Sequence, residues 1–422
     1  MQASRYRAWR RPLAQRTWRV PAAALLTGVL ALTAACGGGA SAPSWQSGKP
    51  AEGPKASVTI TAPAADATDV PTVTEIAFTV SDAEQTTVEV ADTAGKAVKG
   101  TLGADGTTWV PDKRLAYSTT YIATVTATGD DGKPATATTT FTTMAEPKNQ
   151  VRVMSFLADD QVVGVAMPLI IQFSRAIPEE YRDDVQRRMS VRADPPQEGI
   201  WHWSSPTEVR YRPKEFWKSG TKIRYRIQAA GLPMGDGWYG RNDLTVDLTI
   251  GRELIMTVEN RTKQMIVRRD GQVLKSLPVS LGKPKTPSSS GTMVIMERLR
   301  ETVFDTMDAP DPENRYRLDI EYAQRLTWGG EFIHAAPWSV ADQGVRNVSH
   351  GCINLSQENA RWLFEQTLLG DPVIVTGTEV KLRNGNGWTD WNLSWEEYVK
   401  GSALPYQPAD DASGDVEPTP TA

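Results

Sequence analysis

The chain has 422 residues, 23% of them charged and 40% hydrophobic, with a formal net charge of −4. That length suits about three domains, and the composition is that of an ordinary globular protein. The weak negative balance offers nothing to a nucleic-acid backbone, so no nucleic-acid partner is expected.

Residues 1–20 carry Arg5, Arg7, Arg10, Arg11, Arg16 and Arg19 and no acidic residue. An apolar run from Pro21 to Ala35 follows and stops at Cys36-Gly-Gly-Gly. A basic start, a short apolar run and small residues before a break form a secretory signal. The run is too short for a comfortable membrane span. Cys36 directly after Thr33-Ala34-Ala35 resembles a bacterial lipobox, although Thr stands where Leu is usual. That resemblance implies a lipoprotein-type signal over 1–36, with Cys36 lipidated and anchoring an exported protein to the outer face of the cytoplasmic membrane. Ordinary cleavage nearby is the alternative.

Residues 37–56 are rich in Gly, Ala, Ser and Pro and read as a flexible linker. From Ser57 the texture changes to short Thr- and Val-rich alternating runs, such as Glu75 to Val80 and Tyr121 to Thr126, separated by turn signals such as Gly129-Asp-Asp-Gly132. This pattern predicts an antiparallel β-sandwich over 57–146. A second sandwich is predicted over 147–250, with strands at Leu169 to Phe173, Glu208 to Arg212 and Lys222 to Ile227. The two units repeat one spacing: Trp109, Pro111, Leu115 and Tyr121 parallel Tyr211, Pro213, Trp217 and Tyr225. His202, between Trp201 and Trp203, reads as a packing or surface histidine rather than a ligand.

A third, β-rich domain is predicted over 251–378. Its one expected helix runs from Gln357 to Gly370, with Ser356 as N-cap. Residues 379–406 form a Trp-rich extension; Trp388, Trp391, Trp395 and Tyr398 have helix-like spacing, and packing on the second sandwich is expected. Residues 407–422, rich in Pro, Ala and Asp with no basic residue, read as a disordered tail. The fold class is therefore mostly β.

Two of the three histidines and one of the two cysteines fall between His334 and Asn354. A thiol needs a base to become a nucleophile near neutral pH, and imidazole suits that task. If Cys36 is lipidated or removed, Cys352 has no partner for an intrachain disulfide, which favours a reactive role. The window reads as a cysteine–histidine acyl-transfer site.

The run Ser349-His350-Gly351-Cys352-Ile353-Asn354, with His334 upstream at the end of Glu331-Phe-Ile-His, resembles the L,D-transpeptidase catalytic domain, the YkuD fold. Every fixed position of that family pattern is present. The wider layout resembles the actinobacterial members: a membrane-proximal signal, two immunoglobulin-like domains, the catalytic domain and a Trp-rich C-terminal piece. The resemblance implies Cys352 as nucleophile, His334 as base and the Ala335 carbonyl as the group orienting the imidazole. It places an oxyanion hole on the amides of His350, Gly351 and Cys352. Ser349 and Asn354 brace the loop, and His350 is structural or contacts substrate.

The implied donor is a peptidoglycan tetrapeptide stem, cut at the L-centre of meso-diaminopimelate with loss of D-Ala. The implied acceptor is the side-chain amine of another diaminopimelate, giving a 3→3 cross-link. Carbapenems are implied inhibitors. No cofactor or metal is implied, and a monomer is expected. Residues 299–328 are expected to form a lid between strands, with Phe304, Met307, Tyr316 and Trp328, and beyond them Trp338, as candidate substrate contacts.

Other readings compete. A zinc site on His334, His350 and Cys352 lacks a second Cys or a nearby carboxylate. Ser219-Gly-Thr-Lys222 matches the Ser-x-x-Lys of penicillin-binding enzymes only by chance, because it sits in a turn between strands. An L,D-carboxypeptidase would use the same thioester with water as acceptor. A catalytically silent cell-wall-binding protein is the non-enzymatic reading.

Overall fold

The structure, a computed structural model, describes residues 53–406 apart from 104, 310, 313 and 314. The signal with Cys36, the linker up to residue 52 and the tail 407–422 lie outside the described residues.

The first sandwich pairs a four-stranded sheet (Ser57–Ala62, Ile76–Ser81, Thr108–Pro111, Gly100–Leu102) with a five-stranded one (Ala67–Val70, Pro134–Thr143, Thr120–Thr128, Gln85–Asp92, Ala97–Val98). Alternation along Thr120–Thr128 sends Tyr121, Ala123 and Val125 inward against Trp109, Phe78 and Phe141. The unit begins slightly before Ser57: Ala56 is buried, and Lys55 donates its backbone N–H to Asp131.

The second sandwich has two four-stranded sheets, one with Val153–Ser155, Leu169–Phe173, Glu208–Pro213 and Gly199–Ser205, the other with Gln161–Val163, Leu244–Ile250, Lys222–Ile227 and Met189–Asp194. The repeated residues occupy inner positions in both units, with Trp109, Leu115, Tyr121, Tyr211, Trp217 and Tyr225 all buried. A helix, Glu179–Arg187, is present that the sequence pattern does not announce. It buries only Val185 and Gln186, too narrow a face to show a helical apolar period.

The third unit is built on two sheets. The six-stranded sheet holds Gln272–Pro278, Gln264–Arg269, Leu254–Glu259, Pro372–Thr376, Ser289–Val294 and Val380–Lys381 in that order. The four-stranded sheet holds Glu297–Asp305, Arg317–Arg325, Phe332–Ala335 and Ile353–Leu355. The helix Gln357–Gln366 packs Ala360 and Leu363 into the core between them. Ser356 caps it by accepting from the Asn359 N–H at 3.2 Å. It stops four residues before Gly370. Leu369 and Gly370 turn their carbonyls to the N–H groups of Gly164 (2.7 Å) and Ala166 (3.0 Å) of the second sandwich.

This seam continues into the C-terminal extension. The expected helix over 388–398 is split into a single turn, Asp390–Asn392, and a short helix, Trp395–Val399. Ser394 and Glu397 form a capping box that starts the second piece afresh. The Arg212 guanidinium lies over the rings of Trp391, Trp395 and Tyr398 at 4.6, 5.2 and 4.3 Å. Trp391 donates to the Ala166 carbonyl at 2.7 Å, and Arg210 is held between Glu208 and Asp390. His202 stacks on Tyr398, with its Nδ1 2.7 Å from that residue's carbonyl oxygen. Val294, Met296 and Trp388 share one core with the second sandwich, which gives the sheets of the third unit a packed support.

Candidate active site

The parallel pairing of Phe332–Ala335 with Ile353–Leu355 sets His334 opposite Asn354. On these strands Ile333, Ala335, Ile353 and Leu355 enter the main core. Alternation therefore turns Phe332, His334 and Asn354 to the other face, where Cys352 joins Phe332, Ile320 and Ala323 in a small cluster. His334 and Cys352 line one cavity of about 390 Å³, together with Tyr316, Trp338 and Asn354.

His334 is 4% exposed, and its Nδ1 lies 2.8 Å from the Ala335 carbonyl oxygen. A carbonyl only accepts, so Nδ1 carries the proton and Nε2 is left with the lone pair. Burial pushes the imidazole pKa down to about 4, and the Ala335 bond opposes this. Cys352 is 7% exposed, with Sγ 3.6 Å from the Gly330 carbonyl oxygen. Burial pushes its thiol pKa up to about 12; a backbone hydrogen bond from Phe332 opposes this, and Glu331 adds a smaller contribution to the rise. Burial thus disfavours charge on both groups, the imidazolium as well as the thiolate.

The loop before Cys352 is tied from several sides. Ser349 Oγ donates to the Cys352 carbonyl at 2.7 Å and accepts the Gly351 N–H at 3.1 Å. The Gly351 amide, one of the three expected oxyanion donors, is thus bonded to Ser349 at rest. Gly351 is required for its φ of +123° rather than for room: a Cβ there would meet Glu331 Cγ at an ordinary 3.7 Å. Asn354 exchanges backbone bonds with Ser280 and donates its Nδ2 to Ser339 Oγ at 3.1 Å. Ser339 sends its own proton to the Ala336 carbonyl, which fixes the Asn354 amide and leaves its buried Oδ1 with no partner. His350 sits at the mouth, 2.9 Å from Lys283 Nζ, with its ring 5.2 Å from that of Tyr316.

The region 299–328, expected as a lid between strands, is itself mainly strand. Glu297–Asp305 and Arg317–Arg325 form a long antiparallel hairpin whose distal end projects over the site. Phe304 packs against Phe332 (4.6 Å) and edge-on to His334 (5.3 Å). Phe304, Tyr316 and His350 also line a second cavity of about 430 Å³. Trp338 lies 6.1 Å from the His334 ring and is 57% exposed.

Two expected contacts fall elsewhere. Met307 lies past the end of its strand, 57% exposed, and lines neither cavity. Trp328 turns away from the site to line a cleft of about 650 Å³ beside the second sandwich and the C-terminal extension. Residues that the sequence did not single out include Arg315, Leu318, Ile320 and Asp342 in the first cavity, and Lys283 and Glu331 behind the motif. The alternation of the hairpin strand could have found Leu318 and Ile320; nothing local marks the others. Among the described residues no group of three His, Cys, Asp or Glu side chains is placed to hold a metal ion. The Ser219 to Lys222 match lies in the turn at the start of Lys222–Ile227.

Comparison with known proteins bears on this arrangement. Residues 67–233 match the bacterial Ig domain family, and residues 253–375 match the L,D-transpeptidase catalytic domain family. The chain is 34% identical over 332 residues to L,D-transpeptidase 2 of Mycobacterium tuberculosis, covering 78% of this chain and 80% of that protein. It is 35% identical over 364 residues to L,D-transpeptidase 5 of the same species, covering 84% of this chain and 79% of that protein. A solved L,D-transpeptidase in complex with imipenem is 33% identical and covers 55% of this chain and all of that one, with a TM-score of 0.47. Two immunoglobulin-like sandwiches followed by a YkuD catalytic unit, with relatives of this extent and identity, show that the chain belongs to the L,D-transpeptidase family.

Proposed function

We propose that this protein forms 3→3 peptidoglycan cross-links through a thioester on Cys352. The observation that carries the reading is the shared cavity of His334 and Cys352, with the His334 lone pair on Nε2. Cys352 Sγ attacks the carbonyl of the L-centre of meso-diaminopimelate in a tetrapeptide donor. His334 takes the thiol proton as the C–S bond forms and gives it to the leaving amine of D-Ala as the C–N bond breaks. The side-chain amine of a second diaminopimelate then attacks the thioester, His334 accepts its proton as the C–N bond forms, and returns it to the sulfur as the C–S bond breaks, which restores the thiol.

Burial disfavours charge on both groups, so in this reading proton transfer accompanies attack. The amides of His350, Gly351 and Cys352 are the motif donors we assign to the developing oxyanion, that of Gly351 on release from Ser349. Two cavities meeting at Phe304, Tyr316 and His350 suit a reaction that must admit two stems. Carbapenems, which present an activated carbonyl to the same thiol, are expected to acylate Cys352. The basic and apolar leader with Cys36 supports an exported, lipid-anchored protein facing the cell wall, with the sandwiches as reach from the membrane.

Incubation of the folded protein with tetrapeptide stems tests the reading by product analysis. Cross-linked dimers with one D-Ala released per link are expected. Free tripeptide with no dimer would replace the transpeptidase reading with an L,D-carboxypeptidase, in which water is the acceptor.

A further inference from the structure

Glu331 is a carboxylate in an unexpected place. It ends the tight turn between Arg317–Arg325 and Phe332–Ala335, directly after Gly330, whose carbonyl oxygen is 3.6 Å from Cys352 Sγ. Its Oε1 accepts from Ser289 Oγ at 2.6 Å and its Oε2 accepts from the Ser289 N–H at 3.1 Å. Burial raises its carboxyl above the ordinary range, and the two bonds from Ser289, in both of which the carboxylate accepts, favour the ionised form against it. Its Cγ faces the side of Gly351 where a Cβ would stand, one residue before Cys352. A negative charge fixed behind a thiol opposes the thiolate. Such a group works against a resting thiolate–imidazolium pair, and the role for it proposed above is none.

Resting on the assignment of Cys352 as nucleophile, we propose that Glu331 is a positioning residue, clamped by Ser289, that holds Cys352 as the neutral thiol until an acyl donor arrives. Its consequence is selectivity. A thiol kept protonated reacts slowly with adventitious electrophiles, and it becomes nucleophilic only when His334 can take its proton during attack on a bound carbonyl. The other groups facing Cys352 come from three sides: His334 on the neighbouring strand, Tyr316 and Arg315 on the hairpin, and Asp342 and His350 on the segments that follow, with Lys283 set against His350. Asp342 is the carboxylate among them, but it is Glu331 whose charge adds to burial in disfavouring the thiolate, against the backbone N–H of Phe332, which favours it; the Tyr316 hydroxyl is held neutral chiefly by burial.

The test is the rate of Cys352 alkylation by iodoacetamide, a neutral probe, followed by mass in the full chain between about pH 6 and pH 10, where thiolate fraction sets the rate. Glu331→Gln keeps the shape and removes the charge. It should speed alkylation about three- to tenfold across that range, as a pKa lowered by up to one unit requires. Ser289→Ala loosens the clamp and keeps the charge, so its profile should stay within about twofold of the parent. Glu331→Ala is the second charge-removing variant should the Gln form fail to fold. A profile for folded Glu331 variants that superimposes on the parent, or a Ser289→Ala rate raised as much as that of Glu331→Gln, would overturn the proposal. The readout is the thiol's own chemistry, so it is independent of turnover; failure of the nucleophile assignment would show instead as turnover retained without Cys352.

Discussion

Cys352→Ala should abolish turnover, with release of D-Ala from tetrapeptide stems falling at least about a thousandfold. The sulfur is the atom that bonds to the substrate, and no other side chain in its cavity can replace it. Of the three hydroxyls there, those of Ser339 and Ser349 are committed by hydrogen bonds to main-chain carbonyls, and that of Tyr316 is a phenol kept neutral chiefly by burial. Stability should change little. Cys352 belongs to a small cluster with Ile320, Ala323 and Phe332, outside the main core of the unit. Loss of one buried sulfur costs about 1 kcal/mol, against a typical domain stability of about 5–15 kcal/mol. Urea unfolding beside the D-Ala assay separates the two effects. Turnover near the parent level in a folded Cys352→Ala protein would remove the nucleophile assignment.

His334→Ala should slow acylation by about 10²- to 10⁴-fold, the range expected of a positioned general base. The pH dependence of the parent enzyme carries the sharper expectation. Burial pushes the imidazole down to about 4, so the basic form persists well below its ordinary value of 6.5. The acid limb of acylation should therefore lie near pH 4 instead of near 6.5. The thiol, pushed up to about 12, adds no limb at neutral pH. The same burial links to stability with a definite sign. Between about 6.5 and 4 the unfolded chain binds a proton that the folded His334 refuses, so the folded state loses stability as pH falls through that window. Stopped-flow acylation by a carbapenem, measured across acid pH, reads the limb directly. An acid limb at 6.5, or an unchanged rate in His334→Ala, would contradict the role assigned to this side chain.

The site was legible in the sequence because its chemistry sits in scarce residues at a fixed spacing. Strand pairing then does the rest: a parallel register that sets His334 against Asn354 brings Cys352 to the same face. The sandwiches were legible through alternation and through the repeated Trp109 and Tyr211 spacings, since inner positions of equivalent strands demand large side chains. Contacts set by chain direction outside strands were not. Met307 lies just beyond Asp305, where the period of two ends, and Trp328 lies on a turn that swings to the second sandwich. An aromatic or apolar side chain near a site in sequence carries no sign of which way its turn faces. Glu331 and Ser289 are ordinary polar residues 42 positions apart, joined only by the fold. The extension after residue 379 shows the same limit. Its tryptophan spacing suggests one helix, but Ser394 and Glu397 start a new piece with a capping box, and Arg212 lies over the rings of Trp391, Trp395 and Tyr398 from both pieces.

The central claim is that Cys352 is the residue that becomes acylated. Intact-protein mass spectrometry after incubation with a carbapenem, followed by peptide mapping, tests it most directly. One stoichiometric adduct is predicted, located on the peptide carrying Cys352 and absent from Cys352→Ala. A folded protein that takes up no adduct, or carries it on another residue, would contradict the thioester mechanism and bring forward the reading of a catalytically silent cell-wall-binding protein.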